Sequence, residues 1–129
     1  MSISDEEWDK GIAVVDQVYG PGVSDLMLPF KDAPFNREIV LNQFGKLWAD
    51  EALTIREKRL MVLGATTMLG RADLIEIQMV GALTNGEFTE EQLGQIPLFM
   101  LFYAGAGNTT ALFRGIEGAK AKMKAKGSA

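Results

Sequence analysis

The amino-acid sequence predicts an all-α fold for this chain of 129 residues, and three observations carry that prediction. Apolar residues recur at three- and four-residue spacing in successive segments, which is typical of helices packed on one face. Capping patterns of the form Ser/Thr-x-x-Glu/Gln precede several of these segments. No segment shows the period-two alternation of a half-buried strand. The length fits a single domain, predicted over residues 1–129, with about six helices.

The N-terminal third contains two predicted helices. A capping pattern from Ser4 to Glu7 opens the first, which should end near Tyr19 because a Gly-Pro-Gly sequence follows. After a short segment over 23–28 and a loop at 31–34, apolar spacing predicts a second helix over 35–48.

The stretch 53–86 predicts two consecutive helices that are apolar on nearly every side, so they should lie at the centre of the fold. Thr54 and Glu57 form a capping pattern for the first, which should run to about residue 69 with Gly70 as a left-handed cap. The second should cover 71–84 and end at an Asn-Gly pair.

The C-terminal part predicts further helices with two interruptions. A capping pattern at Thr89 opens a helix that Pro97 should kink or restart. The apolar run 98–103 is expected to be helical, because a lone strand would have no partner. Gly105 and Gly107 should then break the chain, with Asn108 as the N-cap of a last helix ending near residue 126.

Composition excludes several classes of function. The chain has no cysteine, so disulfides and thiolate metal sites are excluded, and it has no histidine, so any proton transfer must use Asp, Glu, Lys, Tyr or water. No run of carboxylates predicts a metal site. The net charge of −4 and the lack of an aromatic-interleaved basic stripe argue against nucleic acid. The acidic N-terminus and the absence of a long apolar run predict a cytoplasmic protein without membrane association.

Five segments in order resemble the carboxymuconolactone decarboxylase family, which shares its fold with the alkylhydroperoxidase D proteins. They are Gly11 with VDQVYG, FGKLWADEAL, LTIREKRLMVLGATTMLGR, ALTNGEFTEEQL and LFYAGAGNTTALF. The resemblance implies an all-α domain, a ring-like homo-oligomer such as a trimer or hexamer, and an active site without cofactor or metal near subunit contacts. Family members act on small lactones or other acids of aromatic catabolism. An apolar content of 47% fits some burial between subunits.

The chain departs from both branches of the family at their reactive positions. The paired cysteines of the peroxidase branch fall on Arg71 and Leu74, so that chemistry is not expected. The glutamate and histidine of the decarboxylase branch, one helical turn apart, fall on Leu74 and Gln78. Glutamine neither gives nor accepts a proton at neutral pH.

Six residues are candidates for the site that the resemblance implies. Arg59 could bind an anion, Gln78 could orient a carbonyl, and Glu76 could act as an acid or base. Each has a structural alternative: an ion pair with a carboxylate such as Glu76 for Arg59, a satisfied buried amide for Gln78, and a salt bridge to a lysine or arginine for Glu76. Substrate contacts are expected from three further residues, of which the two aromatic ones could instead be core: Trp48, Tyr103 and Arg71.

Two functions therefore follow from the sequence. The first is a divergent lyase or isomerase, independent of cofactors, that acts on a small organic acid or lactone through orientation and electrostatics. The second is a small-molecule-binding or assembly protein that has lost the acid/base pair and is not catalytic. Fold resemblance alone does not choose between them.

Overall fold

The computed structural model describes residues 5–127, and every regular element in that range is helical, which confirms the all-α prediction. The Ser4 capping pattern lies outside the described residues. The five α-helices are α1 (Asp5–Tyr19), α2 (Pro34–Glu38), α3 (Ile55–Met68), α4 (Ala72–Thr84) and α5 (Glu90–Gly127). Two short 3₁₀ helices occupy Val23–Leu26 and Leu28–Phe30, and α2 continues into a π-helix, Ile39–Trp48. The expected count of six α-helices is not confirmed.

The chain divides into two compact units, the first ending at Ile55 and the second beginning at Arg56. The predicted single family-type domain stays a prediction. In the first unit, α1 packs on the π-helix. Their backbones approach so closely that a Cβ at Gly11 would overlap the carbonyl oxygen of Val40. Phe44 and Trp48 lie four residues apart in the π-helix, and their rings stack with 6.1 Å between centroids.

The second unit is built around α4 and α5. Its core joins residues of α4 and α5 with Leu63 of α3 and Phe88 of the α4–α5 loop. The two helices touch closely at Gly115, where a Cβ would overlap the side chain of Ile75. A small residue at that contact lets a branched side chain from the other helix fill the space against the backbone.

Helix α5 reverses direction at Gly105, whose φ of 83° and ψ of 162° are not helical. The Nζ of Lys120 lies 3.0 Å from Oε2 of Glu90, although thirty residues of straight helix would span about 45 Å. Residues 90–104 (α5N) and 106–127 (α5C) therefore form an antiparallel pair. The predicted break at Gly105 is confirmed, while Gly107 lies inside α5C. The N-cap assignment of Asn108 is wrong: α5C has already begun, and the Asn108 amide donates to the carbonyl of Ala104 at 3.2 Å.

Several predicted helix ends are confirmed. Gly70 and Gly86 adopt left-handed φ values of 66° and 64° after α3 and α4. At the start of α5, the Thr89 hydroxyl accepts from the Gln92 backbone N–H at 3.1 Å, and the Gln92 side chain accepts from the Thr89 N–H at 3.0 Å. This is a complete capping box.

By length and composition, α5 is the one helix among residues 5–127 that is apolar enough to cross a membrane, and 11% of its most apolar window is buried in the structure. Because charged residues lie at both ends of α5, any 18-residue segment with at most two of them includes Gly105. The chain reverses there, so the window is not one straight helix. The cytoplasmic location stays a prediction.

Candidate functional site

A buried arginine joins α3, α4 and the loop between α4 and α5. Arg59 is fully buried, and its Nε and Nη2 donate to Oε1 and Oε2 of Glu87 at 3.1 and 2.8 Å. Its Nη1 donates to Oε1 of Gln78 at 3.0 Å. The Nδ2 of Asn85 adds a hydrogen bond to Glu87 at 3.1 Å. We call Arg59, Glu87 and Gln78 the buried polar cluster.

Local structure brings these three side chains together. Arg59 lies one turn before Leu63 on α3, and Gln78 lies on the buried side of α4. Glu87 follows Gly86, whose left-handed conformation turns the chain back toward α3. A buried guanidinium is costly unless it is paired and hydrogen-bonded, and the forked geometry of arginine and carboxylate meets both needs.

The partners of Arg59 and Gln78 match the structural alternatives expected for them, except in the identity of one carboxylate. Arg59 is in an ion pair, as its structural alternative expected, but the partner is Glu87 and not Glu76. Gln78 is a buried amide whose oxygen accepts from a charged side chain. Because the forked face of Arg59 is directed at Glu87, an incoming anion would have to displace a buried carboxylate to reach it.

A cavity of about 420 Å³ lies next to this cluster in the second unit, between α3 and α5. Its volume is within the range of small-molecule sites in proteins. The inner wall is formed by Leu63, Phe88 and Leu112, which are all buried, and the rim includes the exposed side chains of Leu60 and Phe99. The remaining lining residues are Arg56, Gly64, Gln92, Gln95, Ile96 and Met100.

Arg56 is the charged residue of this cavity lining. Its Nε donates to the backbone carbonyl of Glu87 at 3.0 Å, and its guanidinium carbon lies 5.0 Å from the centroid of the Phe88 ring. Both contacts hold the guanidinium plane at the cavity wall. Within residues 5–127, its two terminal nitrogens have no protein partner, so they can donate to a ligand.

Two amides complete the polar part of the lining. Gln92 uses its side-chain oxygen in the helix cap of Thr89, which leaves its NH₂ group as a donor at the rim. Gln95 lies one turn further along α5N and is exposed. One cation and two amides among apolar walls match an amphipathic ligand that carries an acidic or carbonyl oxygen at one end.

Glu76 lies elsewhere on α4. Its Oε2 is 2.6 Å from Nζ of Lys122 on α5C, and its side chain is 27% exposed. This is the salt bridge to a lysine that its structural alternative expected. Glu76 does not line the cavity between α3 and α5.

The three expected substrate contacts are scattered. Arg71 is exposed and forms a forked pair with Asp73 at 2.8 and 2.7 Å, a contact that raises the pKa of Arg71 and lowers that of Asp73 to about 2. Tyr103 is 72% exposed and lies against Phe99, with the ring centroids 5.2 Å apart. Trp48 belongs to the core of the first unit. The structure thus brings Arg59 and Gln78 together, while Tyr103 contacts the rim residue Phe99 but does not itself line the cavity.

The sequence did not predict that Glu87 is buried against Arg59 or that Arg56 lies on the cavity wall. Glu87 follows a predicted Asn-Gly turn in a segment without periodicity, so nothing in the sequence indicated that it is buried. Arg56 was visible as a polar residue in an apolar stretch, three residues from Arg59 on the same helix. The placement of Arg56 on the cavity side depends on where α5N packs.

Comparison of this chain with protein-family models, with curated proteins and with solved structures finds no match. Within the described residues, no group of three or more acidic, histidine or cysteine side chains is positioned to hold a metal ion.

Proposed function

We propose that this protein is a divergent relative of the carboxymuconolactone decarboxylases that binds a small organic acid or lactone in the cavity between α3 and α5. The observation that carries the proposal is Arg56. Its Nε is held by the Glu87 carbonyl at 3.0 Å, while its two terminal nitrogens are available at the wall of an apolar cavity. A guanidinium fixed in this way favours a planar carboxylate or a lactone carbonyl.

The apolar walls limit the rest of the ligand. Leu63, Phe88 and Leu112 offer no hydrogen bond, so the part of the ligand that lies deepest should be a hydrocarbon or a flat ring. The cavity volume of about 420 Å³ suits a molecule of one ring or a short chain. This chemistry agrees with the acids of aromatic catabolism that the sequence resemblance implies.

A second candidate is a cofactor-independent lyase or isomerase step at the same cavity. The observation in its favour is the link between Arg56 and the buried polar cluster, since the Glu87 carbonyl accepts from Arg56 while the Glu87 carboxylate pairs with Arg59. Donors held rigidly near a carbonyl stabilise an enolate-like transition state. The described lining holds one cation and two amides, so we rank binding before catalysis.

A homo-oligomer, such as a trimer or hexamer, belongs to the same proposal. Two adjacent pairs of residues near the end of α5N are apolar and open to solvent. Exposed fractions are 57% for Leu98, 64% for Phe99, 86% for Phe102 and 72% for Tyr103. Exposed apolar surface of this extent supports a protein contact on that helix, next to the cavity rim.

Calorimetric titration with matched ligands tests the proposal. Each of a panel of one-ring and short-chain acids is compared with its primary amide, which keeps the shape but removes the charge. We expect the acids to bind about 5- to 30-fold more tightly, because a charge-assisted hydrogen bond exceeds a neutral one by roughly 1–2 kcal/mol. Equal affinities for acids and amides would contradict the role of Arg56. Conversion of a bound acid or lactone in the same samples would favour the enzymatic candidate.

A further inference from the structure

The reversal of α5 takes place at a single residue. Gly105 is the one position of α5 with non-helical backbone, at φ 83° and ψ 162°, and this combination is open essentially to glycine alone. Antiparallel helix pairs are usually joined by two to five loop residues. The connection between α5N and α5C is therefore at the short limit for a helical hairpin.

A buried hydroxyl next to the reversal has lost its usual acceptor. Thr109 is 6% exposed, and its Oγ1 has no hydrogen-bond partner among residues 5–127. The neighbouring Thr110 donates to the carbonyl of Ala106, four residues earlier, at 2.7 Å. For Thr109 the corresponding carbonyl is that of Gly105, where the helix is interrupted. A helical Gly105 would return this acceptor to its ordinary position.

We propose that α5C exchanges between two copies of this chain. In the exchanged dimer Gly105 is helical, α5N and α5C form one continuous helix, and α5C of each copy packs on α4 and α5N of the other. The contacts that now hold α5C, such as Leu112 and Ile116 in the core and Lys120 with Glu90, form again between the chains. The exchange therefore costs little beyond the change at the hinge and the association of two chains.

The balance between the two forms depends on the residue at position 105. Glycine adopts the backbone conformation of the reversal without strain but destabilises a continuous helix. Alanine is strained in that conformation and stabilises a continuous helix. Gly105→Ala should shift the equilibrium toward the open hinge at least about 25-fold for each chain, from about fivefold for helix preference and at least a similar factor for the strained conformation. Gly107→Ala is the matched control, because Gly107 is helical and an added Cβ there meets nothing within 4 Å.

Cross-linking distinguishes α5C packed within its own chain from α5C packed on a second chain. Thr84 on α4 and Met123 on α5C are in contact, with Oγ1 and Sδ 3.7 Å apart, and the chain has no cysteine of its own. With both residues changed to cysteine, a short bismaleimide should link them within one chain in the parent and in Gly107→Ala. In Gly105→Ala it should instead yield covalent dimers. An oligomer without exchange would still give links within one chain, so the assay reports topology and not subunit number.

Links within single chains in folded Gly105→Ala would overturn the proposal, as would equal dimer yields in Gly105→Ala and Gly107→Ala. If Gly105→Ala does not fold, the parent cysteine pair is unfolded, refolded at high protein concentration and then cross-linked. Covalent dimers that increase with the concentration during refolding support the exchange. A product linked only within single chains at every concentration overturns it.

Discussion

Arg59 and Glu87 form a forked ion pair in the interior of the second unit, with Nε–Oε1 and Nη2–Oε2 distances of 3.1 and 2.8 Å. The Arg59 side chain is fully buried and the Glu87 side chain is 8% exposed. Twenty-eight residues separate the two along the chain, so the pair connects α3 to the loop after α4. The backbone carbonyl of Glu87 also positions Arg56 at the cavity.

Loss of the Glu87 carboxylate should strongly destabilise the second unit. Glu87→Ala leaves the buried guanidinium of Arg59 without its charge partner, which costs about 3–5 kcal/mol in the free energy of unfolding. Urea unfolding followed by circular dichroism measures this loss. Asp73→Ala removes a forked but exposed pair and should leave the free energy of unfolding nearly unchanged. Similar losses in both variants would show that Glu87 is not buried as described.

Close packing between α4 and α5 makes Gly115 intolerant of a larger side chain. The Cβ of Gly115→Ala would overlap Ile75, and the backbone nitrogen of Glu76 lies 3.1 Å from the same point. Backbone cannot move aside cheaply, so we expect a loss of about 1–3 kcal/mol in thermal or urea unfolding. At Gly94, also in α5, an added Cβ meets nothing within 4 Å, and Gly94→Ala should stabilise by about 0.5–1 kcal/mol. A neutral or stabilising Gly115→Ala would contradict the described contact.

The Asp73 carboxyl should remain ionised to low pH. Its hydrogen bonds from Arg71 lower its pKa from 3.8 to about 2. Because the folded pKa lies below the unfolded value, the contribution to stability is complete above pH 3.8 and is lost as the pH falls toward 2. Carbon-detected NMR titration of the side chain should give a midpoint near 2. In Arg71→Gln the midpoint should rise toward 3.8, and an unchanged midpoint would show that Arg71 is not the cause.

Helix ends were predictable because they depend on neighbouring residues. Gly70 and Gly86 supply left-handed caps, and Thr89 pairs with Gln92 within one turn, so the sequence alone was sufficient. The same local reasoning failed at Asn108. Its amide is a good N-cap, but the reversal at Gly105 starts the next helix earlier and places Asn108 in its first turn.

The candidate site was only partly predictable. Arg59 and Gln78 were named from a family pattern, and they do lie together. Glu87 was missed because an ion pair between residues 28 positions apart leaves no periodic signal. The cavity is lined by residues of α3 and α5 that lie far apart in the sequence. The position of its charged residue, Arg56, on the cavity wall could be assigned only from the structure.

Substitution of Arg56 by an uncharged residue tests most directly the claim that the cavity between α3 and α5 binds an organic acid. Arg56→Gln keeps a hydrogen-bond donor at the cavity wall but removes the charge, and Arg71→Gln is the matched control for an exposed arginine outside the cavity. In calorimetric titrations with the tightest-binding acid, we expect Arg56→Gln to weaken binding about 10- to 100-fold, corresponding to roughly 1.5–3 kcal/mol. Arg71→Gln should bind like the native protein. Unchanged affinity in Arg56→Gln, with its fold intact by circular dichroism, would contradict the assignment of this cavity as the organic-acid site.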